Sequence, residues 1–150
     1  MRYLGRITAV GLLFLLSSCL SLFLEKPTFT LKEIEIKRIS FQEIDFLFGI
    51  EVQNPNQFDL KLRALEYTVY LSGQEVGKGR LEKEIKIVKA ASTLVPVPLQ
   101  TNLRSLGNPL ALILAGKDLQ YKIEGAAIIK ASMGSTTIPF SKSGEIKIKK

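Results

Sequence analysis

The sequence predicts an all-β protein, an antiparallel β-sandwich with one short helix near residues 109–115. Three observations predict it. Apolar and polar residues alternate with period two over most of the chain beyond Pro27, the spacing of half-buried strands. Turn signals interrupt the alternation at short intervals, at Asn54-Pro55-Asn56, Ser72-Gly73, Gly77-Lys78-Gly79, Gly134 and Ser143-Gly144. Strands do not alternate with helical segments, so the βαβ pattern of a parallel sheet is missing. With 150 residues, 46% of them apolar, the chain has enough material for one domain and its core.

The first segment stands apart. Arg2 and Arg6 precede an apolar run, Ile-Thr-Ala-Val-Gly-Leu-Leu-Phe-Leu-Leu over 7–16, and no acid falls before Glu25. A basic start followed by an apolar stretch of this length is the pattern of an export signal. Leu16-Ser17-Ser18-Cys19 then resembles the bacterial lipobox and uses the only Cys of the chain. The resemblance implies that residues 1–18 are removed, that the Cys19 thiol carries diacylglycerol, and that residues 19–29 form the lipidated Cys and its tether. Leu20 follows Cys19 where Asp is the usual retention residue, which favours the outer membrane if the envelope has two. The residues leave one alternative open. The apolar stretch continues to Leu24, and an uncleaved helix over 7–24 would span about 27 Å, barely a bilayer core. Either way Arg2 and Arg6 stay on the cytoplasmic side and the domain is exported.

The strands follow in order over residues 30–150. A run at 32–39 precedes the clearest one, 43–53, in which Ile44, Phe46, Phe48, Ile50 and Val52 face one way and Glu43, Asp45, Glu51 and Gln53 the other. Residues 62–72 repeat the pattern with Leu65, Tyr67, Val69 and Leu71 against Glu66, Thr68 and Ser72. Further runs occupy 82–88, 93–99, 118–131, 136–141 and 145–149. Pro96 and Pro98 share one face of the 93–99 strand and cannot donate to a ladder, so that strand belongs at a sheet edge or is bulged. Asn108, Pro109 and Gly116 bracket Leu-Ala-Leu-Ile-Leu-Ala with an N-cap, a first-turn proline and a C-terminal glycine. The segment reads as a short helix plugging one end of the sandwich. Gly107 weighs against a start at Asn102. The Lys-rich end, Ile146 to Lys150, reads as a last strand with a charged outer face.

Composition removes most chemistry. His is absent, which excludes Ser-His-Asp and Cys-His catalysis and His metal sites. A single Cys excludes an internal disulfide and a Cys-cluster zinc site. Gly73 to Gly79 resembles a phosphate loop in outline. It is one residue short between its glycines, however, and has Gly79 where Ser or Thr is required, so a hairpin turn is expected. The acid pairs Glu33/Glu35, Glu43/Asp45 and Glu82/Glu84 each lie on one strand face beside lysines at 32, 37, 83 and 86, as solvated faces do. Basic residues number 21 and acidic 14; without Arg2 and Arg6 the balance is 19 against 14, or +5. No basic cluster interleaves with aromatics, so nucleic acid is not expected. Anionic lipid is the more natural partner of the charge. No catalytic, cofactor-binding or metal residues are expected.

Glu51-Val-Gln-Asn54-Pro55-Asn56, then Phe58, Leu60-Lys-Leu62, Leu65-Glu-Tyr67-Thr-Val-Tyr70 and Gly73, resemble the late embryogenesis abundant type 2 family, the water-stress and hypersensitive-response domain. Gly79, Val95-Pro-Val-Pro98-Leu99, the helical segment, Tyr121-Lys-Ile-Glu-Gly125, Ile138-Pro-Phe140 and Gly144-Glu-Ile146 continue the likeness across about residues 30–148. Independently of the family, Pro55 fixes φ and ends the strand, and Asn54 and Asn56 are suited to bonding nearby backbone. Asn54, Pro55 and Asn56 are therefore expected as a structural turn, with ligand binding by the two amides as the lesser alternative.

The resemblance implies a fibronectin III- or immunoglobulin-like sandwich, a role in desiccation and other stress, and no catalysis. Combined with the leader, the expectation is a monomeric, lipid-anchored envelope protein that stabilises proteins or membrane, with stress-unfolded clients or anionic lipid as partners. The rivals are a lipid-binding or membrane-interaction module using an apolar groove near 109–115, and an adaptor docking another envelope protein by edge-strand pairing.

Overall fold

The computed structural model describes residues 24–146 and 148–149. Cys19 and the rest of the leader lie outside the described residues. Long alternating segments make long strands: β1 (Thr28–Ile39), β2 (Glu43–Asn54), β3 (Leu60–Leu71), β4 (Gln74–Leu81), β5 (Ile85–Ile87) and β6 (Ala91–Asn102). The helix α1 (Leu103–Leu114) follows, then β7 (Leu119–Ala131), β8 (Gly134–Ile146) and the short β9 (Ile148–Lys149). One sheet has the order β6-β2-β1-β9. The other is β4-β3-β7-β8, with β5 also pairing with β3. All pairings are antiparallel except that of β9, which meets β1 in parallel at Ile34↔Ile148 and Glu35↔Lys149. The predicted sandwich with one helix is the observed architecture.

The core lies between the sheets. Ile44, Phe46, Phe48, Ile50 and Val52 are all essentially inaccessible, as their alternation predicts. Facing them are Leu60, Leu62, Leu65, Tyr67, Val69 and Leu71 of β3, with Ile123, Ala127 and Ile129 of β7. In β1 the buried set changes phase, from Phe29 and Leu31 to Ile34, because the pairing with β2 shifts register between Leu31 and Glu33. One bulged residue moves every later side chain to the other face. Phe29 stacks on Phe140 across the sheets, with ring centroids 4.6 Å apart.

Pro96 and Pro98 sit on the exposed face of β6, which is an edge strand in unbroken register with β2 from Glu43↔Asn102 to Asn54↔Ala91. This edge is also closed onto the other sheet. The Tyr67 hydroxyl donates to the Pro98 carbonyl, and the Thr101 hydroxyl to the Val76 carbonyl. Burial pushes the Tyr67 phenol up to about 12.

Two local expectations are corrected and one is extended. The helix expected at 109–115 is present, and a helical turn precedes it: Asn102 caps that turn, its side chain accepting from the Arg104 N–H at 2.8 Å. Gly107 breaks it with φ +43° and ψ −123°, a conformation that favours glycine, so 109–115 forms only the second half. Its Leu106, Pro109 and Ile113 are buried, and Leu106 and Ile113 join the core cluster. Gly77-Lys78-Gly79 and Ser143-Gly144 are not turns but interior positions of β4 and β8. A Cβ on Gly79 would clash with the Tyr67 hydroxyl, and one on Gly144 would come within 2.9 Å of the Tyr121 ring. These glycines clear space for tyrosines. Finally, the run at 82–88 is interrupted, with β5 confined to Ile85–Ile87.

Candidate functional site

Strand directions collect two opposite ends. At one, the chain enters before β1, β2 ends, β3 and β6 begin, and the β7–β8 hairpin turns. At the other lie the β1–β2 turn, the β3–β4 hairpin at Ser72-Gly73 and α1, whose Leu103 N–H bonds the Gln42 carbonyl. The phosphate-loop likeness at 73–79 is thus a hairpin turn leading into β4.

The first end is built around Asn54 and Asn56, which are 1% and 5% exposed. The Asn54 amide donates to the Phe58 carbonyl at 2.9 Å and, at 3.3 Å, to those of Ile87 and Val88. Its oxygen accepts from both the backbone and the side-chain amide of Asn56, each at 3.0 Å. Asn54 thereby ties the end of β2 to the start of β3 and to the β5–β6 connection. Asn56 reaches the other way. Its amide donates to the Glu25 carbonyl at 2.8 Å and its oxygen accepts from the Glu25 N–H at 2.9 Å. This reciprocal pair grips the entering chain as a neighbouring strand would. The Asn56 carbonyl accepts from Ala90 N–H at 2.9 Å, and Asp59 accepts from Lys89 N–H at 2.9 Å while pairing with Lys86 at 2.8 Å. The Lys86 and Lys89 contacts hold the Asp59 carboxyl below the usual carboxylate range. Every polar atom of the two asparagine side chains is engaged by the protein, an arrangement that joins segments and leaves no amide turned toward a ligand.

Around this hub the fold assembles residues far apart in sequence. Leu24, Phe58, Ala131 and Met133 line a shallow apolar notch of about 150 Å³. Phe58 is 36% exposed and Met133 65%. Phe58 was singled out in the sequence only as part of a likeness, and Met133 not at all. Neither carries a local pattern that separates it from an ordinary turn residue.

The acid pairs do not converge. Glu35 pairs with Lys37, Asp45 with Arg38, Glu82 with Arg80, and Glu84 with both Lys61 and Arg63, all on exposed faces. The Lys61 and Arg63 contacts hold Glu84 below its ordinary value. Among the described residues no group of three or more His, Cys, Asp or Glu is placed to share a metal. Near 109–115, where an apolar groove was the rival reading, Pro109 and Ile113 are buried and Leu114 is exposed. At the same end Phe41, in the β1–β2 turn, is fully exposed.

This architecture recurs in a solution structure from Arabidopsis thaliana, which superposes with a TM-score of 0.66 at 23% identity over 83% of each chain. In sequence the chain is 26% identical over 124 residues to a desiccation protectant protein homologue of Glycine max, covering 82% of each. It is 24% identical over 126 residues to a late embryogenesis abundant protein of Gossypium hirsutum, covering 83% of each. The names of these relatives carry no enzyme activity. The family model for late embryogenesis abundant proteins matches residues 50–144, from the middle of β2 almost to the end of β8, and the chain therefore belongs to the late embryogenesis abundant type 2 family.

Proposed function

We infer that this protein is a non-enzymatic, exported lipoprotein that stabilises proteins or membrane of the cell envelope during drying and related stress. The observation that carries the reading is the extent of the likeness: desiccation-related relatives align over more than four-fifths of both chains, so the whole sandwich, not a fragment of it, is common to them. Attachment rests on the order of Arg2 and Arg6, the apolar run and Leu16-Ser17-Ser18-Cys19. Diacylglycerol on Cys19 would hold a monomer at the membrane, in the outer membrane where the envelope has two. Client proteins or anionic lipid are the partners. Phe41, with Ile39 56% exposed beside it, offers an apolar tip for transient contact with an unfolding client, and the paired charges of the sheet faces keep the rest soluble.

Two measurements test the reading. Cells producing the wild type should incorporate labelled palmitate, and Cys19→Ser should abolish it; equal incorporation in both removes the lipid anchor. A soluble form, residues 20–150, should preserve the activity of a drying-sensitive enzyme at near-stoichiometric ratio, better than an inert sandwich of similar size and charge. Recovery no better than that control, with liposome leakage equally unaffected, removes the protective role.

A further inference from the structure

We propose that the Asn54–Asn56 end of the sandwich is a membrane-contact face. In this arrangement Phe58 and Met133 enter the boundary between headgroups and acyl chains, and Lys26, Lys89 and Lys130 meet anionic phospholipid. The proposal deepens the attachment reading and uses one part of it, that the chain before residue 24 starts in the bilayer. A cleaved, acylated Cys19 and a retained helix over 7–24 both satisfy that condition.

Tether length decides which end faces the bilayer. Both backbone polar groups of Glu25 are held by Asn56, and six residues separate that clasp from Cys19. Six residues at about 3.3–3.6 Å each reach roughly 20 Å. The strands β1 and β2 have 12 residues each and at about 3.3 Å per residue separate the two ends by roughly 40 Å. A domain resting on the Phe41 tip would lift Glu25 farther from the bilayer than its tether allows.

The chemistry of the near end suits a lipid surface. Exposed Phe58 and Met133 flank the Leu24 notch, with Val88 exposed nearby, and an apolar patch rimmed by polar residues is the usual mark of an interaction surface. Lys26, Lys89 and Lys130 are exposed around it and form no ion pair among the described residues. Lys61 and Lys86 are tied to Glu84 and Asp59, which neutralises those two acids; Glu25 remains exposed at the entry. Each lysine near an anionic surface strengthens partitioning by about fivefold. The charge acts only at short range, within a Debye length of roughly 10 Å, so it adds to attachment only once this end has settled against the surface. The clasp on Glu25 thus acts as a positioning device, converting a loose lipid anchor into an oriented one.

The chain contains no Trp, so single reporters are unambiguous. The full chain, purified from producing cells as Phe58→Trp, Met133→Trp or Phe41→Trp, is reconstituted in vesicles with brominated acyl chains. One set is phosphatidylcholine alone and the other contains phosphatidylglycerol. Reporters at 58 and 133 should shift to the blue and lose most of their emission to bromine in the anionic vesicles, while the reporter at 41 stays in water. Adding Lys89→Glu with Lys130→Glu should return quenching in anionic vesicles to the level of phosphatidylcholine alone. Quenching at 41 in place of 58 and 133, or none at any position, overturns the proposal. Mass spectrometry of the same samples separates this from the attachment reading: a missing acyl group removes lipidation of Cys19, while the quenching pattern still decides the face.

Discussion

Replacing Asn54 by Ala should be among the most damaging single changes at the polar hub, and its cost follows from the bonds the side chain makes. The substitution removes the donor to the Phe58 carbonyl and the acceptor for both Asn56 amides. A typical hydrogen bond contributes about 1 kcal/mol net, but a buried donor left without a partner costs about 1–3 kcal/mol. The Asn56 N–H is stranded in this way because the residue is buried. The expected loss is about 3–5 kcal/mol, a fifth or more of the roughly 5–15 kcal/mol that stabilises a typical domain. Asn56→Ala should cost less, about 1–2 kcal/mol, because Asn54 still bonds the residue 56 backbone and the freed Glu25 groups lie in an exposed segment that water reaches. Urea unfolding of residues 20–150, followed by circular dichroism, gives each value, and the double variant gives the coupling. A coupling of about 0.5–3 kcal/mol is expected for two side chains in one network. If Asn54→Ala lost less than Asn56→Ala, or the two were additive, the hub would not be the joint described here.

Two further outcomes follow from the core and from the sheet edge. Phe46→Ala or Phe48→Ala should lose about 3–5 kcal/mol in the same assay, whereas Glu51→Ala, which releases only a half-exposed pair with Lys32, should lose about 0.5 kcal/mol; the reverse ranking would contradict the assigned strand faces. Stability should fall as pH rises from about 10 towards 12, because the unfolded chain releases the Tyr67 proton near 10 while the folded protein holds it to about 12. The unfolded state then binds fewer protons, so the slope of stability against pH is negative. Tyr67→Phe should remove that part of the slope, and an unchanged alkaline profile would show that burial does not raise the Tyr67 phenol.

What the sequence determined by itself is what depends on neighbours along the chain. The alternation of Ile44, Phe46, Phe48, Ile50 and Val52 identified a core face because strand geometry places alternate residues on one side whatever lies across from them. Pro96 and Pro98 marked an edge because a missing N–H is a local fact. The same local logic explains the errors. Glycine at 79 and 144 reads as a turn in sequence, yet its reason is a tyrosine on a neighbouring strand, and no local pattern distinguishes an open turn from a cleared space. Asn102 and Asn108 both look like helix caps; the structure uses Asn102 to cap a turn that the non-helical Gly107 separates from the helical segment after it. Only the tertiary structure brought Glu25 to Asn56, and Leu24 and Phe58 to Met133. Those contacts depend on which strands pair and in what register, set by burial summed over the whole sandwich and not by any one segment.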